Sequence, residues 1–147
     1  MKALVLKEYK NFEIQEVPVP KIQPDEVLIK VMAVGICGSD VHGMDGSTGR
    51  RIPPIIMGHE ASGIIEAVGP EVSGWQMGDR VTFDSTIYRL DDWYSRKGLY
   101  NLSDNRMVLG VSCPDFKKDG AFAEYVAVPQ HILYKICLLY TSPSPRD

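Results

Sequence analysis

No stretch of this chain sustains a helical repeat; its apolar runs are short and divided by glycine and proline. The strongest run is Glu26-Val-Leu-Ile-Lys-Val-Met-Ala-Val34, whose branched residues suit a pleated strand. It ends at Gly35. Shorter strand signals cover Ala3 to Leu6, Phe12 to Val17, Ala61 to Gly69, Asp79 to Phe83 and Gly120 to Val128, the last stopped by Pro129. Pro18, Pro20 and Pro24 break regular structure, and Pro53-Pro54 holds the approach to Ile55 extended. Gly43 to Gly49 reads as a loop, and Asp84 to Arg106 is irregular, with charged and aromatic residues mixed. Such a chain must build its core from strands. The expected class is mainly β, a barrel or sandwich with at most short helices.

The chain's 147 residues are enough for one domain with its own core. Hydrophobic content of 44% and charged content of 24% are ordinary for a soluble globular protein. A net charge of -3, with no basic patch, argues against a nucleic-acid partner. No apolar stretch approaches the ~20 residues of a membrane span, and the start of the chain is too short an apolar run for a signal peptide. Cys37, Cys113 and Cys137 form no disulfide framework, so a reducing cytoplasm is expected. Neither G-x-G-x-x-G nor a P-loop occurs, so the chain carries no phosphate cradle of its own.

Two glycine-flanked stretches carry chemistry: Gly35-Ile-Cys-Gly-Ser-Asp40 and Ile55-Ile-Met-Gly-His-Glu60. Cys37, His59 and Glu60 offer a thiolate, an imidazole and a carboxylate, the donors zinc accepts. Asp40 is placed to accept a hydrogen bond from the unliganded nitrogen of His59. Ser39 and His42 are candidates to carry a proton outward, and Ser39 reads as the N-cap of a short helical turn through His42. The ligands lack a compact metal-binding spacing. From the residues alone, Cys37 also reads as a small buried hydrophobe and His59 as a satisfied histidine.

Gly35-Ile-Cys-Gly-Ser-Asp-Val-His42, Gly58-His-Glu60, Gly63, Val68-Gly69 and Gly78-Asp-Arg-Val81 follow in an order and spacing that resemble the zinc-dependent medium-chain dehydrogenases. These are the alcohol, sorbitol and threonine dehydrogenase group, and the match runs to about Lys135. The resemblance implies a GroES-like β-barrel catalytic domain over residues 1–136 and no Rossmann domain. It implies zinc on Cys37, His59 and Glu60, Asp40 behind His59, and a proton relay through Ser39 and His42. The chemistry would be hydride transfer from an alcohol or polyol, including sugar alcohols and their phosphates, to NAD(P). The family's remaining zinc ligand, its nucleotide domain and its closing strands would fall after this chain. The nucleotide therefore belongs to a full-length parent, a homodimer or homotetramer, and the fragment alone is expected to be poorly folded and inactive. The alternatives are a non-catalytic GroES-like binding module and a zinc-free quinone-reductase-type member. The second predicts loss of Cys37 and His59, and both are present.

The same resemblance places a second, structural zinc on four cysteines. At the matching positions stand Arg89, Asp92, Ser95 and Ser103. No thiolate cage can form there, so one catalytic zinc is expected, with an Arg89–Asp92 ion pair and Trp93, Tyr94 and Tyr100 holding an exposed lobe. Cys113 reads as structural and His131 as a surface residue. Residues 137–147 end in two Ser-Pro pairs, and one codon choice for them resembles a transposon-end adaptor used in DNA sequencing libraries. That stretch is expected to be non-native, with a disordered tail as the alternative.

Overall fold

A computed structural model describes residues 1–136. The 137–147 stretch, expected to lie outside the domain, falls outside the described residues. In chain order the strands are β1 (Lys2–Glu8), β2 (Asn11–Glu16), β3 (Glu26–Val34), β4 (Ile55–Ile56), β5 (Ala61–Val68), β6 (Arg80–Phe83), β7 (Thr86–Ile87), β8 (Met107–Val108), β9 (Val111–Ser112), β10 (Lys117–Lys118), β11 (Tyr125–Pro129) and β12 (Leu133–Lys135). One short helix, α1 (Gly38–Gly43), follows β3. The main sheet runs β11-β3-β5-β6-β12, and a second sheet runs β2-β1-β4. All pairs within these two sheets are antiparallel.

The β3–β5 pair positions the site. Its register sets Val34 opposite Ala61, so the chain leaving β3 runs beside the chain entering β5. Residues twenty apart in sequence become neighbours, and the Gly35 N–H donates to the Glu60 carbonyl at 2.7 Å. Gly63 permits the close pairing, because a Cβ there would strike the Lys30 carbonyl of β3.

The core lies under the main sheet, where Val27, Ile29, Ile65, Val81, Val128 and Ile132 are fully buried. Each such side chain contributes about 1.5–3 kcal/mol through apolar burial. Leu6, Ile55 and Met57 form a smaller cluster against Phe12, Met44 and Phe122.

The strand expected over Gly120 to Val128 begins only at Tyr125. The preceding residues clamp the second sheet instead: the N–H groups of Gly120, Ala121 and Phe122 donate to the carbonyls of Ile56, Gly58 and Met57 at 2.7, 2.8 and 2.9 Å. Leu4 N–H donates to the Phe122 carbonyl at 2.8 Å, and Val31 N–H to the Glu124 carbonyl at 2.9 Å, which ties the two sheets together. A helix-free, alternating segment thus serves as a strap because its partners are split between sheets. The 84–106 stretch is largely irregular, interrupted by β7 and by single 3-10 turns at Ser95–Lys97 and Tyr100–Leu102. The Pro53–Pro54 bond is cis.

Candidate metal centre

Gly58 sits at φ +89°, a left-handed conformation that glycine adopts without strain, and turns the chain out of the Ile56–Gly58 clamp into His59. The β3–β5 register then sets Gly35 to Cys37 alongside. Cys37, His59 and Glu60 each present a donor atom within 4.8 Å of the others. Cys37 and His59 are half-buried and Glu60 is exposed. A soft sulfur, an imidazole nitrogen and a hard oxygen, open on one side, match the mixed donor set of a catalytic zinc. An open cleft of about 590 Å³ borders the cluster, lined by Val34, Gly35, His59, Glu60, Phe83 and Ser85 among others.

The cap of α1 is Cys37, not Ser39 as its sequence type suggested. Asp40 makes that possible by reaching back, its Oδ2 accepting the Cys37 N–H at 3.1 Å. Ser39 is thereby left inside the helix with its hydroxyl 3.4 Å from His59 Nε2. Asp40 is 4% exposed, and its Oδ1 lies 3.4 Å from His59 Nδ1. The ring therefore shows Nδ1 to the carboxylate and Nε2 to the hydroxyl. His42 is exposed; its carbonyl accepts the Ser47 hydroxyl, and among the described residues its ring makes no hydrogen bond to the cluster. One residue escaped the sequence reading: Arg51, buried with its Nη2 3.6 Å from Asp40 Oδ1. A cation just upstream of Pro53-Pro54 and the buried Ile55–Gly58 segment was the available signal.

The lobe over residues 89–106 is organised around one carboxylate, that of Asp92. Asp92 accepts the Ser103 hydroxyl, the Ser95 N–H at 2.7 Å and the Asp104 N–H at 3.1 Å. The Arg89 N–H donates to the Ser103 hydroxyl at 3.2 Å, so Arg89, Asp92, Ser95 and Ser103 are joined in one hydrogen-bonded group. The Ser103 hydroxyl and the Ser95 N–H hold the Asp92 carboxyl well below the usual range, at about 2. The expected Arg89–Asp92 ion pair does not form. With Asp92 occupied by three donors, the Arg89 side chain turns to Asp91, at 3.0 and 2.8 Å. Tyr88 stacks on Tyr100, Trp93 meets Tyr94 edge-on, and Lys97 Nζ sits 4.0 Å over the Trp93 ring. His131, read as a surface residue, packs edge-on against Tyr88 with centroids 4.8 Å apart and fastens the lobe to the barrel.

Fold and cluster together define a β-barrel domain bearing an open sulfur–nitrogen–oxygen centre. Residues 23–137 match the alcohol dehydrogenase GroES-like domain, and the chain belongs to that family, within the medium-chain dehydrogenases. It is 43% identical to an L-threonine 3-dehydrogenase of Symbiobacterium thermophilum, over 82% of this chain and 34% of that protein. It is 39% identical to a sorbitol dehydrogenase of Bacillus subtilis, over 92% of this chain and 38% of that protein. Among solved structures, the alcohol dehydrogenase TADH from Thermus sp. ATN1 superposes with a TM-score of 0.85 at 35% identity, covering 93% of this chain and 40% of that one. Galactitol-1-phosphate dehydrogenase from Escherichia coli gives a TM-score of 0.85 at 30% identity, over 95% and 39%. The chain thus spans little more than a third of the length of the curated relatives it matches. No helix among the described residues is long and apolar enough to cross a membrane.

Proposed function

We infer that this chain carries the metal-binding part of a zinc-dependent oxidoreductase that moves hydride from an alcohol or polyol to NAD(P). One observation carries the inference: three donors of three chemical kinds converge within 4.8 Å, with a buried carboxylate facing the outer nitrogen of the histidine. The names of the relatives, alcohol, sorbitol and threonine dehydrogenases, support the reaction class.

Cys37, His59 and Glu60 would hold the ion, which supplies Lewis acidity to an alcohol oxygen when bound. Asp40 orients His59 by facing its Nδ1. Ser39, 3.4 Å from His59 Nε2, stands where it can take a proton from an alcohol at the centre. His42 lies three residues further along α1, on the same helix face, and opens to solvent. The two give the proton a route outward. No glycine-rich phosphate cradle occurs among the 147 residues, so the nucleotide is held elsewhere in a longer protein. That longer protein would be a cytoplasmic homodimer or homotetramer, acting on a small alcohol, a polyol or a polyol phosphate. The chain would carry one zinc, since Arg89, Asp92, Ser95 and Ser103 offer no thiolate and are bonded to one another.

The reaction is tested with the full-length protein and alcohols deuterated at the carbinol carbon. Deuterium should appear on the reduced nicotinamide, and Cys37→Ser should abolish the transfer. Transfer that survives Cys37→Ser contradicts the proposal.

A further inference from the structure

Arg51 is 5% exposed, and a buried guanidinium needs a partner. Its backbone is tied to β9, through a bridge to Ser112 and the Ile52 N–H donating to the Ser112 carbonyl at 2.9 Å. The side chain crosses to α1 and meets Asp40 there. Gly43 makes the crossing possible: a Cβ at that position would come within 2.6 Å of Arg51 Cγ. Asp40 in turn touches both motif stretches, Cys37 through Oδ2 and His59 through Oδ1. Five buried side-chain polar atoms lack a hydrogen-bond partner among the described residues, and three of them are Asp40 Oδ1, Arg51 Nε and His59 Nδ1. Unmet hydrogen-bonding capacity is thus concentrated behind the donor cluster.

We propose that Arg51 is a positioning residue for the centre: it pins the Asp40 carboxylate, whose negative charge 3.4 Å from His59 Nδ1 favours the Nδ1–H tautomer and leaves Nε2 free as the donor. At 3.6 Å the Arg51–Asp40 contact is an ion pair rather than a forked hydrogen bond. Charge therefore matters more than shape, and lysine should retain much of the effect. Without a cation at this point only the Cys37 N–H still orients the carboxylate, and the charge that favours one tautomer of the ring is no longer fixed beside Nδ1. The inference deepens the metal assignment above and rests on it only for the metal readout.

The test needs no bound metal for its first measurement. Nitrogen-15 spectra of the imidazoles in the metal-free full-length protein, at a pH where they are neutral, report the His59 tautomer directly. The wild type should show the Nδ1–H form, Arg51→Met a mixture, and Arg51→Lys a return toward the wild type. Should Arg51→Met unfold, Gly43→Ala displaces the side chain without deleting it and should give the same mixture. Cobalt(II) titration is the second readout, and Arg51→Met should weaken binding about 10–100-fold. A folded Arg51→Met or Gly43→Ala chain with the wild-type tautomer overturns the proposal. So does a wild-type ring in the Nε2–H form. A tautomer that follows Arg51 in a chain that takes up no cobalt supports the role on the ring and sinks the metal assignment instead.

Discussion

Gly58→Ala should be among the most damaging single-methyl additions to this domain, and the structure separates its two causes. The backbone there has φ +89°, where an L-residue costs about 1–2 kcal/mol. The new Cβ would also lie 2.6 Å from Phe122 Cδ1 and 2.8 Å from Phe122 N. The ring can swing, but the nitrogen cannot: its N–H is bonded to the Met57 carbonyl, and the Phe122 carbonyl accepts the Leu4 N–H. Overpacking of that kind adds about 1–3 kcal/mol. The total, about 2–5 kcal/mol, is a large part of the roughly 5–15 kcal/mol that holds a domain folded. Gly74 is the control, with φ +76° and nothing within 4 Å of its would-be Cβ. Gly74→Ala should therefore show the backbone part alone, about 1–2 kcal/mol. Urea unfolding followed by tryptophan fluorescence measures both. Equal losses at the two positions would refute the claim that the Phe122 strap crowds Gly58.

Burial lowers the pKa of His131 below its ordinary 6.5, against a smaller opposing effect of its hydrogen bond with Tyr88. The stability gained from the neutral ring is present above pH 6.5 and is lost as pH falls through the lower folded-state value. Thermal melts of the wild type should decline over that interval while His131→Phe stays flatter; equal slopes would contradict this. In the lobe, Asp92 stays ionised down to about 2, so its bonds should survive at pH 4 and in the presence of a zinc chelator. Asp92→Ala should speed amide exchange at Ser95 and Asp104, whose N–H groups it binds, and chelator alone should not.

The fold was legible where one face of a strand is buried. Glu26–Val34 matches β3 at both ends because its branched residues and Gly35 leave no competing period. The 120–124 stretch was misread because a strap that bonds alternately to two sheets has a strand's pattern without one strand partner. The cap of α1 was misread because Ser39 has the better capping side chain, yet Asp40 supplies its own bond to Cys37. The donors Cys37, His59 and Glu60 could be named from their types and glycine neighbours. What joined them was the Val34–Ala61 register, a pairing between distant strands. Arg51 and the Asp92 knot stayed hidden for the same reason, since burial of a charge depends on what the chain packs beside it.

Zinc K-edge absorption on the metal-loaded protein reads the donor set of the Cys37–His59–Glu60 cluster. One equivalent is expected, with a single sulfur at about 2.3 Å and nitrogen or oxygen donors at about 2.0–2.2 Å. Cys37→Ser should remove the sulfur shell and His59→Gln should weaken binding while each chain stays folded. A shell without sulfur, or a second tightly held equivalent, would contradict it.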